Sequence, residues 1–130
     1  MSWDVAVFAS RSDEASPRAD WMPLDLGTME AVQERISKAL PGTVWTDDET
    51  GFWQNEGLSF EMSLTPRPDS LQVNLVFVRV CGNANPFSGL RQLAAATGWY
   101  LMDCSDSSWI DIENPSTASW DRFRSLRDSL

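Results

Sequence analysis

A doubled pattern constrains this chain more than any other feature. Residues 98–112 read as two strands joined by a short polar turn, with Gly98 before the first strand, Asp103 and Asp106 around the turn and Trp109 after it. A fainter copy occupies residues 42–53. Gly42 and Gly98, Asp47 and Asp103, and Trp53 and Trp109 are each separated by 56 positions. Each copy is preceded by an amphipathic helix pattern and, further back, by a strand pattern. The expectation is two β-α-β-β units, within residues 1–57 and 71–113, in one domain of 130 residues.

The intervening segments fill in the rest of the sheet. Residues 3–9 alternate Trp3, Val5 and Val7 against Asp4, Ala6 and Phe8, which predicts a strand with at least one buried face. A polar connection with Pro17 and Pro23 follows, longer than most loops. Trp21 within it is expected to pin the connection to the body. Thr28 suits a helix N-cap, and Met29, Val32, Ile36 and Leu40 form one apolar stripe that Pro41-Gly42 stops. Leu58, Phe60, Met62 and Leu64 alternate with polar residues, as in a half-buried strand. Residues 71–81 are apolar on both faces towards their end, as in a central strand. Asn85-Pro86 opens a second helix carrying Phe87, Leu90, Leu93 and Ala94, which Gly98 closes. Trp120, Phe123, Leu126 and Leu130 share a side of a third. The order β-α-β-β-β-β-α-β-β-α predicts an α+β fold: an antiparallel sheet of six to seven strands with helices on one face.

Charge narrows the function. Ten basic against 19 acidic residues leave a net charge of −9. Nucleic-acid binding draws on Lys and Arg that displace counterions, so it is disfavoured, and so is an anionic membrane surface. A basic protein partner gains from the long-range field. No apolar run approaches the roughly 20 residues that span a bilayer. The start of the chain lacks a basic segment followed by an apolar one, so the expected location is cytoplasmic. Cys81 and Cys104 match no zinc or redox spacing.

The chain contains no His, which removes the commonest general base and metal ligand. No nucleophile elbow, phosphate-binding loop or dinucleotide fingerprint is present. Carboxylate chemistry would fall to Asp47, Asp48 and Glu49 with Asp103 and Asp106, all in predicted turns, where Asp is common for local hydrogen-bonding reasons. The expectation is a non-enzyme with no cofactor and no metal. The tryptophans suggest binding instead. Trp53 and Trp109 fall on the more polar sides of their strands, beside acidic turns, and a Trp flanked by carboxylates suits an Arg- or Lys-rich partner. Asp47, Asp48, Glu49, Trp53, Asp103, Asp106 and Trp109 are therefore the candidate partner-binding residues.

With the run Gly98-Trp99-Tyr100-Leu101-Met102-Asp103-Cys104 followed by Trp109-Ile110-Asp111, the chain resembles the small, acidic immunity proteins that neutralise bacterial polymorphic or secretion-system toxins. The resemblance lies in size, charge, architecture and this run, and no functional residue is carried over from it. It implies tight binding of a basic toxin or enzyme and occlusion of its active site. Two other readings compete. A metal-dependent hydrolase requires Asp47, Asp48, Asp103 and Asp106 to converge. A small-molecule sensor requires a pocket lined by Trp45, Trp99 and Tyr100.

Overall fold

Alternation in the two longest strands builds the centre of the sheet. In the computed structural model, which describes residues 2–12 and 21–129, β5 (Leu58–Pro66) pairs antiparallel with β6 (Gln72–Gly82) along almost its whole length. Leu58, Phe60, Met62 and Leu64 point to the same side as Val76, Val78 and Val80, and all seven are buried. β1 (Trp3–Phe8) pairs with the other edge of β6, adding Trp3, Val5 and Val7 to that face. Below β1, the two residues of β2 (Gly27–Thr28) continue its lane against Val73 and Gln72, a short strand the sequence pattern does not announce.

Three helices cover this face. α1 (Met29–Ala39) starts where Thr28 Oγ1 accepts the Ala31 N–H at 3.2 Å, and it buries Val32, Ile36 and Ala39. α2 (Phe87–Thr97) starts where Asn85 Oδ1 accepts the Phe87 N–H at 2.8 Å, and it ends at Gly98 in the left-handed conformation. Arg35 ties the two helices together by donating to Thr97 O while its guanidinium lies 4.6 Å from the Trp99 ring. α3 (Ala118–Asp128) is held by Trp120, edge-on to Trp3 at 5.7 Å, and by Arg127, which donates to Gly82 O at 2.7 Å. Of its predicted stripe Trp120 is buried, Phe123 is half-buried and Leu126 is exposed. Leu130 of that stripe, like Pro17 of the long connection, lies outside the described residues.

Two hairpins complete the sheet. β3 (Val44–Trp45) and β4 (Thr50–Asn55) extend it beyond β5, and β7 (Tyr100–Asp103) and β8 (Ser108–Trp109) extend it beyond β1. Lane order is β3-β4-β5-β6-β1-β7-β8, antiparallel throughout. The fold is thus α+β with an antiparallel sheet and its helices on one face. Each half runs β-α-β-β, but the hairpins do not take equivalent lanes. β1-α1-β5 and β6-α2-β7 interleave as two split β-α-β crossovers, so β5 is the counterpart of β7. The β3–β4 hairpin is an addition between α1 and β5. Among the described residues no helix is long and apolar enough to cross a membrane.

Candidate functional site

The β3–β4 turn carries the most concentrated unpaired charge among the described residues. Asp47 Oδ1 accepts the Glu49 N–H at 2.8 Å, a local bond that tightens the turn. Thr46 N–H donates to Thr50 O at 3.0 Å, and Leu64 N–H donates to Glu49 O at 2.8 Å, fastening the turn to β5. Gln33 of α1 donates to Asp48 O at 2.7 Å, fastening it to the helix. Trp45 adds a third anchor: its indole donates to Ser37 at 2.9 Å and lies flat over Gly51, where a Cβ would come within 2.8 Å of the ring. The backbone is held on three sides while the Asp47, Asp48 and Glu49 side chains stay exposed. Glu30, one turn before Gln33 on α1, is exposed on the same side. Among the described residues no Lys or Arg pairs with these four carboxylates, whereas Glu34 is neutralised by Lys38 at 3.0 Å.

The other predicted acidic turn is built differently. Asp103 is buried, on the helix side of β7, and its Oδ1 accepts from the Ser105 N–H at 2.9 Å and from Ser105 Oγ at 2.7 Å. Ser105 meets Ser119 of α3 at 2.6 Å, and Ser119 also accepts the Trp3 indole N–H. Asp103 is thus a buried member of a hydrogen-bond chain that reaches α3 through Ser105 and Ser119. Asp106 is exposed, but its Oδ1 accepts from both the N–H and the hydroxyl of Ser108, closing its own turn. Around this corner acid is interleaved with base: Arg91 meets Glu113 at 3.4 Å, Arg124 meets Asp121 at 3.3 Å, and Arg122 lines the same recess as Asp103 and Asp106.

Neither tryptophan stands fully exposed beside its acidic turn. Trp53 is 5% exposed and packs on Phe60 beneath Gly89 of α2, so it belongs to the core. The polarity of its neighbours in sequence is misleading, because Phe52, not Trp53, takes the uncovered side of β4. Trp109 does lie on the side away from the helices, opposite Met102, but the long connection reaches it. Trp21 packs edge-on against both Phe8, at 5.2 Å, and Trp109, at 5.5 Å, with Arg11 5.8 Å from the Trp109 ring. This cluster also covers Ala6 and Met102, so Trp21 pins the connection as its composition suggests.

The two turns lie at opposite edges of the sheet, five lanes apart, or roughly 24 Å at the usual strand spacing. They also lie at opposite ends of the strands, because β3 and β7 run in opposite directions. Paired carboxylates that act on one bond sit within about 10 Å of each other, so Asp47 and Asp48 cannot cooperate with Asp103 and Asp106. The two acidic turns therefore form no shared rim. Nor do the three aromatic residues of the sensor reading converge. Trp45 and Trp99 touch α1 at Ser37 and Arg35, two residues apart and so on opposite flanks, and Tyr100 projects from the far side of the sheet. Among the described residues no group of three or more Cys, Asp or Glu side chains is arranged to hold a metal ion. Comparison with known proteins finds no family model, no curated protein and no solved structure that matches this chain.

Proposed function

We propose that the protein is a non-catalytic binding module, an immunity or inhibitor protein that occludes a basic toxin or enzyme in the cytoplasm. The observation that carries this reading is the β3–β4 turn. Three exposed carboxylates stand on a backbone fastened to α1 and β5, with no Lys or Arg among the described residues neutralising them. A preorganised charged surface lowers the ordering cost of association, and its field raises the encounter rate with a basic partner. The charge of −9 acts in the same sense over longer range.

Affinity purification from the native host at low ionic strength, with mass spectrometry, tests this. The expected result is a basic enzyme that co-purifies stoichiometrically, loses activity on binding and dissociates as salt rises. Recovery of no basic partner, or of one whose activity is unchanged when bound, contradicts it.

A further inference from the structure

We infer that Val44 and Phe52 form the apolar anchor at which the basic partner docks, on the uncovered face of the β3–β4 hairpin. The inference rests on the function proposed above and adds where on the surface the partner sits and what it must carry. Val44 and Phe52 are directly opposed in the β3–β4 pairing and project away from the helices, 61% and 36% exposed. Single exposed apolar residues are common on protein surfaces and mean little by themselves. These two are adjacent, on a hairpin fastened at its turn, with Asp48 and Glu49 at the end of the same strand. Elsewhere on this face Trp21 packs on Phe8 and Trp109, Leu75 and Phe77 of β6 are half-buried, exposed Tyr100 lies towards the opposite edge, and β5 presents Ser59, Ser63 and Thr65.

Charge complementarity selects the occupant. Glu61, next to Phe52 across β4–β5, is balanced by Arg79 at 3.7 Å, so the unbalanced charge beside the anchor is that of the turn. Two residues, Thr50 and Gly51, separate Glu49 from Phe52, roughly 10 Å along the backbone. The complementary surface is an apolar side chain of the partner with Lys or Arg about the same distance away. An apolar centre ringed by charge is the arrangement in which a few residues supply most of the affinity. A second copy of this chain would bring like charges together and is disfavoured.

The test places a photo-crosslinking benzoylphenylalanine at position 52 or, as a control, at exposed Leu126 of α3 in host cells. The adduct is identified, and the partner is then purified and titrated. Expected are a basic protein crosslinked at 52 but not at 126, and a Val44→Ser/Phe52→Ser variant with an unchanged melting temperature that binds it at least tenfold more weakly. A basic partner crosslinked only at 126, or bound equally by the double variant, overturns this surface and leaves the proposed function standing. An adduct at 52 with a second copy or an acidic protein overturns the occupant. No basic partner at either position overturns both.

Discussion

The indole N–H of Trp3 donates to Ser119 Oγ at 3.0 Å, joining the first strand to the last helix across 116 residues. Ser119 passes the connection to Ser105 and so to Asp103. Both ends of this chain of hydrogen bonds are buried. Replacing Ser119 by Ala leaves the Trp3 N–H without an acceptor, and the expected loss of stability is about 2 kcal/mol, read from urea unfolding. Asp103→Lys should unfold α3 from the sheet, seen as loss of near-ultraviolet circular dichroism, because it buries a cation without a partner.

Gly51 and Trp45 set a second test. A methyl group on Gly51 has to displace the Trp45 ring, which in turn breaks its bond to Ser37. Gly51→Ala should cost about 1–3 kcal/mol and expose the Trp45 indole N–H to rapid hydrogen exchange. Retention of a slowly exchanging Trp45 N–H would show that the hairpin is held otherwise.

Trp21 covers the part of the sheet face away from the helices around Phe8 and Trp109. Its removal in Trp21→Ala uncovers Ala6 and Met102 and deletes two edge-to-face contacts. A destabilisation of about 2 kcal/mol is expected, with dye binding to the newly exposed apolar surface. Partner binding at the β3–β4 corner should persist, since Trp21 lies at the other edge.

Burial, followed by the nearby Asp4 and Asp103 carboxylates, pushes the Cys104 thiol up from 9.0 to about 11. The unfolded chain therefore releases this proton at lower pH than the folded one. The thiol's contribution to stability is fully present below pH 9 and is lost as pH rises towards 11. Urea midpoints measured from pH 8 to 11 should fall, and Cys104→Ala should flatten that part of the profile. In the native protein at pH 8, exposed Cys81 should react with a thiol reagent well before Cys104.

Sequence patterning carried the architecture well because burial has a period. The alternation of Leu58 to Leu64 and the stripe Val32–Ile36 point to their faces without tertiary information. The lanes were not legible in the same way. Nothing local distinguishes a hairpin inserted after α1 from one that pairs with the central strand, so equal spacing suggested equivalence where Asp47 and Asp103 occupy opposite corners. Side assignment failed at Trp53 for a related reason. Its neighbours Gln54 and Asn55 are polar because β4 lies near the sheet edge, while α2, far away in sequence, covers the ring. Of the candidate binding residues, Asp47, Asp48 and Glu49 are the exposed acids with no basic partner among the described residues. Val44 and Phe52 went unnoticed, although their apolar character on a short polar hairpin was a signal.

The central claim is that the β3–β4 turn steers a basic partner onto this protein. Stopped-flow association of the purified partner with wild type and with Asp48→Lys/Glu49→Lys, which leaves the Asp47 turn bond in place, at about 20 and 300 mM salt, tests it most directly. The account predicts at least a tenfold slower association for the variant at low salt, a difference that shrinks at high salt, and an unchanged melting temperature. Equal association rates at low salt would contradict it.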